Sequence, residues 1–96
     1  MTSEQTMTAI TAEAVEEALL SFLAERVKTA VEPDQDLFKS GLVSSMFAMQ
    51  LVVHLEEQYD IAVIGPDLTL NNFRTVHAMT SLVLRLRNAS DTAGNV

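Results

Sequence analysis

Residues 40–51 read Ser-Gly-Leu-Val-Ser-Ser-Met-Phe-Ala-Met-Gln-Leu, and a loop gives way to a helix within this stretch. Ser44 is a suitable N-cap, because a serine side chain can accept a hydrogen bond from a free N–H group of the first helical turn. The run from Ser45 to Tyr59 contains neither glycine nor proline, so the pattern predicts an uninterrupted helix there. Ser45 would present its hydroxyl at the start of that helix, and we interpret the rest of the chain as its scaffold and docking surface.

The helix predicted from Ser45 carries apolar residues on more than one face. One side of its helical wheel is assigned to the core: Ala48, Leu51, Val52, Leu55 and Tyr59. A polar strip lies opposite: Gln50, His54 and Glu57. Further apolar residues flank that strip: Met46, Met49 and Val53. Apolar surface beyond the needs of one core, with acids at its edge, is typical of a docking face. For Met49 and Val53, packing against another helix remains an equal alternative.

Three further helices are predicted. Thr11 caps a first helix over roughly residues 12–29, with an apolar stripe of Val15, Ala18, Leu19, Phe22 and Leu23. A short helix is predicted from Thr69 through Phe73, and Thr75 caps a last helix with a stripe of Val76, Met79, Val83 and Leu86. The pattern therefore predicts an all-α fold of three main amphipathic helices and one short helix.

The connecting segments are predicted from their apolar residues and their turns. Residues 31–43 form a long first loop, in which Leu37, Phe38 and Leu42 are too apolar to be free and are expected to pack over the helix ends. Three residues of the second loop are interpreted as buried anchors, because no segment reads as a partner strand for them: Ile61, Val63 and Ile64. Residues 1–10 and 89–96 are expected to be flexible tails around one domain over residues 11–88.

The composition excludes several kinds of partner and chemistry. The chain has 13 acidic residues against 6 Lys and Arg, a net charge of −7, so it repels nucleic acid and anionic membranes and favours a partner with a basic face. It has no cysteine, so any thiol chemistry requires a cofactor that brings the sulfur. Residues 1–10 lack a basic segment and a hydrophobic run and are not expected to be a signal peptide. No apolar run reaches membrane-spanning length, and a cytoplasmic location is expected.

Catalytic and metal-binding patterns are sparse. His54 and Glu57 have the i, i+3 spacing of metal ligands, but one such pair does not make a site. No Ser-His-Asp set stands at an interpretable spacing, and no glycine-rich phosphate loop is present. The chain is therefore not expected to be an enzyme or to bind a metal.

At the serine pair the chain resembles the acyl and peptidyl carrier protein family. Residues 44–46, Ser-Ser-Met, are similar to the Asp-Ser-Leu/Met motif whose serine carries 4′-phosphopantetheine at the start of the second helix. Residues 55–61, Leu-Glu-Glu-Gln-Tyr-Asp-Ile, resemble the family's acidic helix end, and residues 73–76, Phe-Arg-Thr-Val, resemble the start of its last helix. The resemblance spans roughly residues 12–87. It implies an acyl-carrier-protein-like four-helix bundle with the arm on Ser45.

The resemblance also implies a function and partners. The chain would be a freestanding, monomeric carrier that holds a short acyl unit as a thioester on the arm. Its partners would be a phosphopantetheinyl transferase, an acyl-loading enzyme, and a downstream acyltransferase, dehydrogenase or synthase. The residues assigned to partner binding are Ser44, Met46, Met49, Gln50, Val53, Glu56 and Glu57. Residues 41–43 resemble D-alanyl carrier proteins, whereas residues 43–51 are most similar to carriers of glyceryl or alkoxymalonyl units in polyketide pathways.

Two residues depart from the family pattern. Ser44 stands where the family has Asp, and Gln50 stands where an acid is common. Ser44 can still cap the helix, but a transferase would meet one carboxylate fewer, and the Ser44 hydroxyl is a second candidate for attachment. The alternative function is a cofactor-free helical protein-interaction module, for which Ser45 would be dispensable.

Overall fold

The computed structural model describes the backbone of residues 11–95 and the side chains of residues 11–88. The N-terminal tail expected over residues 1–10 lies outside the described residues. The described chain forms four α-helices, α1 (Ala12–Val27), α2 (Ser45–Tyr59), α3 (Leu70–Phe73) and α4 (Val76–Asn95), with a 3₁₀ turn at Gly65–Asp67. No strand occurs between residues 11 and 95, and the predicted all-α fold is confirmed.

The three long helices begin at the predicted caps. The hydroxyls of Thr11, Ser44 and Thr75 accept hydrogen bonds from N–H groups three residues further on, at 3.1, 3.2 and 2.9 Å. The first helix ends slightly before the predicted residue 29, because Lys28 turns into the left-handed region with φ 63°. Asp60 ends α2 in the same way with φ 55°. In this conformation each cap N–H still satisfies a carbonyl of the last helical turn.

The core lies between α1, α2 and α4. Its fully buried members are mostly leucine and valine: Val15, Leu19, Leu23, Leu37, Leu51, Leu55, Val76, Met79, Leu82 and Val83. Four of the five core positions predicted inside α2 are buried, and the fifth, Tyr59, is half-buried. Ala18 is exposed although the predicted stripe included it, because the buried face of α1 follows the i, i+4 row of Val15, Leu19 and Leu23.

The long first loop is anchored to the end of α3. Leu37 is fully buried, and its N–H donates to the carbonyl of Arg74 at 2.8 Å. The N–H of Val43 donates to the carbonyl of Leu37 at 3.1 Å, and an Arg74–Asp36 ion pair at 3.2 Å joins the same two segments. The predicted anchors Phe38 and Leu42 are half-buried. These contacts hold the loop residues that lead directly into α2.

One predicted loop anchor differs from the structure, and the backbone is described for most of the expected C-terminal tail. Ile64 was expected to be buried but is 68% exposed, because burial alternates along the loop and takes Ile61 and Val63 inward. The tail expected over residues 89–96 is helical in its backbone as far as Asn95. A helix that is already formed gains one hydrogen bond for each residue it adds, without a new nucleation cost.

No helix in the described part of the chain combines the length and apolar character needed to cross a lipid bilayer.

Candidate functional site

Ser45 is the first residue of α2, and its side chain is exposed. The capping hydrogen bond at this helix start belongs to Ser44, whose Oγ accepts from the N–H of Phe47. Within residues 11–88 the Ser45 hydroxyl has no hydrogen-bond partner, so it is available for covalent modification. The two adjacent hydroxyls therefore differ: the Ser44 Oγ accepts the capping hydrogen bond, and the Ser45 hydroxyl forms no hydrogen bond within residues 11–88.

The start of α2 suits a negatively charged group. Free N–H groups and the positive end of the helix dipole favour an anion there. No acidic side chain lies in the first turn of α2, so no carboxylate of that turn competes with a phosphate.

A shallow groove of about 240 Å³ opens beside Ser45 between α2 and α3. One wall comes from α2, with Ala48, Met49 and Val52, and the other comes from residues 68–70 and Phe73. These side chains are almost all apolar. We call this the α2–α3 groove.

The outer face of α2 exposes the three apolar residues that flank the predicted polar strip. Met46 is 80% exposed, Met49 56% and Val53 49%. Gln50 and Glu57 are exposed on the same face. Met49 and Val53 therefore lie outside the buried core.

Three exposed apolar residues outside α2 were not assigned to the site from the sequence. Ile64, Leu68 and Leu70 are 68%, 45% and 51% exposed. Leu68 and Leu70 line the α2–α3 groove opposite Met49. A sequence signal existed, because these residues flank the Gly65-Pro66 turn, but apolar loop residues are more often anchors.

The adjacent acids Glu56 and Glu57 have different environments. The Glu56 carboxylate is half-buried, and its Oε2 accepts from the N–H of Val63 at 2.9 Å. Glu57 is exposed. Glu56 therefore links the second loop to α2, whereas the Glu57 side chain remains exposed.

His54 does not lie in an open polar strip. Its ring stacks on Phe22 of α1, with centroids 3.8 Å apart and planes inclined by 13°. The Arg26 guanidinium lies over the same Phe22 ring, 4.6 Å from its centroid. Burial is the main cause that lowers the pKa of His54, the nearby Arg26 charge lowers it further, and Glu57 opposes both. In the described chain no three His, Asp or Glu side chains are placed to share a metal ion.

The lowered pKa of His54 predicts a pH-dependent stability. A histidine whose pKa is lower in the folded state binds more protons when unfolded, so its effect is absent above pH 6.5 and destabilises the fold as the pH falls below it. We therefore expect the urea midpoint of the wild type to fall between pH 7.5 and pH 5.5, and His54→Gln to reduce that fall. The exposed His77 supplies the control. His77→Gln should behave as the wild type, and equal slopes for both variants would contradict the assignment.

Comparison with known proteins places this geometry in a family. The family described as "Phosphopantetheine attachment site" matches residues 13–83, which include Ser45 and the helices around it. Over 56 residues the chain is 36% identical to the D-alanyl carrier protein of Streptococcus sanguinis and 34% identical to that of Streptococcus mutans. Each match covers 58% of this chain and 71% of the relative. The chain therefore belongs to the acyl carrier protein family: it is a carrier with covalently attached 4′-phosphopantetheine, and it is not itself an enzyme.

Proposed function

We propose that Ser45 is the attachment residue and that the chain carries a short acyl unit between enzymes of a polyketide-type pathway, with a glyceryl or alkoxymalonyl unit as the first candidate cargo. One observation supports this most directly: the Ser45 hydroxyl is exposed and unbonded at the start of α2. The bound arm supplies a thiol that holds the acyl group as a thioester. The family match removes the main support for a cofactor-free interaction module.

The residues around Ser45 fit this role. The free N–H groups at the start of α2 are placed to stabilise the phosphodiester. Ser44 keeps those groups ordered through its cap. The buried Leu37 and the Asp36–Arg74 ion pair hold the preceding loop against the bundle. The chain thus displays the hydroxyl on a supported helix end.

The outer face of α2 is the proposed docking surface for the phosphopantetheinyl transferase, the acyl-loading enzyme and the downstream enzyme. Met46, Met49 and Val53 supply apolar contact, and Gln50 and Glu57 supply polar contact. Ser44 is exposed beside the attachment residue and can be contacted by the same partner. Glu56 contributes mainly by shaping the second loop. An acidic chain with a small apolar patch suits a basic partner that binds briefly.

Charge reversal at Glu57 tests the docking surface. We expect Glu57→Lys to lower kcat/KM of a transferase for the apo chain by about 3- to 10-fold at low salt, with a smaller loss at high salt, because electrostatic steering is screened. Asp34→Lys is the matched control, since Asp34 is an exposed acid on the first loop and changes the net charge equally. Equal losses for both variants would show that overall charge, and not this surface, governs docking.

The cargo is tested by intact mass spectrometry of the chain purified from its native host. We expect one phosphopantetheine arm on Ser45 that carries a short oxygenated acyl group. A D-alanyl group is the second candidate, supported by the identity to D-alanyl carrier proteins. A long fatty acyl group would overturn the proposed cargo class, and an arm mapped to another residue would overturn the attachment residue.

A further inference from the structure

The basic residues of the chain fall into two groups. Arg74 and Arg85 form ion pairs with Asp36 and Asp67, and Arg87 donates to the carbonyl of Tyr59 at 3.0 Å. The others have no ion pair within residues 11–88 and lie at the end of α1 or in the first loop: Arg26, Lys28 and Lys39. The basic side chains that form no ion pair within residues 11–88 are therefore concentrated in residues 26–39, from the last turn of α1 into the first loop.

A second groove, of about 470 Å³, lies on the α1 side of α2. Its lining residues come from the end of α1, the first loop and the start of α2: Arg26, Val27, Gly41, Leu42, Phe47 and Gln50. Among the described residues, no acidic side chain lines it. By contrast, a third groove on α1 is lined by Glu13, Glu16 and Glu17, and the described side chains that line the α2–α3 groove carry no charge. We call the second one the Arg26 groove.

The Arg26 guanidinium is supported by an aromatic ring of α1. Its guanidinium packs over Phe22 at 4.6 Å, and such stacking uses the face of the guanidinium and leaves N–H donors at its edge. Those donors match the two oxygens of a carboxylate. Gln50 adds an amide, while half-buried Leu42 and Phe47 supply apolar walls.

The Arg26 groove lies within reach of an arm on Ser45. Gln50 is five residues after Ser45 in α2, about 8 Å along the helix axis at 1.5 Å per residue. Gly41 and Leu42 come from the loop that immediately precedes α2. We propose that the Arg26 groove binds the free carboxylate of a dicarboxylic acyl unit carried on the arm. This inference rests on the proposed function and specifies its substrate class.

The test uses the absence of cysteine from the chain. In Ser45→Cys, the introduced thiol is the sole point for attaching a synthetic arm of pantetheine length as a disulfide, with no phosphate and no transferase. The arm ends in a ¹³C-labelled carboxylate or, as the neutral control, in a carboxamide. NMR then follows the titration of the carboxylate and the amide signals of Leu42 and Gln50.

We expect the pKa of the bound carboxylate to be about 0.5 unit lower than in the same protein with Arg26→Gln, because the guanidinium stabilises the charged form at a partly solvated site. The carboxylate arm should shift the Leu42 and Gln50 signals more than the carboxamide arm does. Lys39→Gln, which removes an uncommitted charge outside the groove, should preserve both effects. An unchanged carboxylate pKa in Arg26→Gln, or shifts confined to Leu68 and Leu70, would overturn the inference.

This experiment separates the two proposals. It needs neither a transferase nor the Ser45 hydroxyl, so a wrong attachment residue would not alter its result. Conversely, the wild-type chain could accept phosphopantetheine on Ser45 while Arg26→Gln leaves the carboxylate pKa of the Ser45→Cys protein unchanged. That pair of results would support the proposed function and contradict carboxylate binding in the Arg26 groove.

Discussion

Replacing Ser45 by alanine is expected to abolish attachment of phosphopantetheine. The wild-type hydroxyl is exposed and has no hydrogen-bond partner in the described chain, whereas alanine offers no oxygen for the phosphodiester. Intact mass after incubation with coenzyme A and a broad-specificity transferase is the measurement. The wild type should gain the mass of one arm, and Ser45→Ala should gain none. Alanine is compatible with the first helical turn, so loss of the adduct should occur in a folded protein.

Ser44→Ala is the matched control for this result. It leaves the Ser45 hydroxyl in place but removes the hydrogen bond from the N–H of Phe47 to the Ser44 Oγ. We expect it to lower the free energy of unfolding by about 1 kcal/mol and still to accept the arm. If Ser45→Ala still gains the mass of the arm, the attachment residue is Ser44 or another residue, and the assignment of Ser45 is wrong. Loss of the adduct in folded Ser44→Ala would also contradict the assignment.

Replacing Leu51 by alanine is expected to cost about 2–5 kcal/mol of stability. Leu51 is fully buried in the middle of α2, and its truncation removes apolar contacts and leaves a cavity between the helices. A loss of that size is a large fraction of the total stability of a domain this small. Urea unfolding followed by circular dichroism at 222 nm measures the effect, with a lower midpoint expected for the variant.

Met46→Ala is the control on the same helix. Met46 is 80% exposed, so its replacement should change the free energy of unfolding by less than about 0.5 kcal/mol. It should nevertheless weaken transferase docking if the outer face of α2 is the docking surface. A stability loss for Met46→Ala as large as that for Leu51→Ala would contradict the assignment of core and surface on α2.

Features that depend on neighbouring residues could be predicted from the sequence. The three caps join residues three positions apart, from Thr11 to Ala14, from Ser44 to Phe47 and from Thr75 to Ala78. Their hydrogen bonds form within one helical turn and require no distant partner. The limits and core positions of α2 follow from the same local periodicity. The exposed position of Ser45 follows as well, because it stands beside the cap and outside the apolar stripe.

Features that join distant segments were decided by the tertiary structure. His54 stacks on Phe22, and the Glu56 carboxylate binds the N–H of Val63. Periodicity shows which side of a helix a residue occupies, but it does not show which element covers that side.

The sequence alone thus determined where the three long helices begin, their caps and the serine at the start of α2. Packing decided that Ile64 faces solvent, that Glu57 is exposed whereas Glu56 is half-buried, and that Arg26 and Gln50 line one groove. The physical reason is range: a capping hydrogen bond forms within one turn of the chain, whereas a groove exists only after α1 and α2 have packed together.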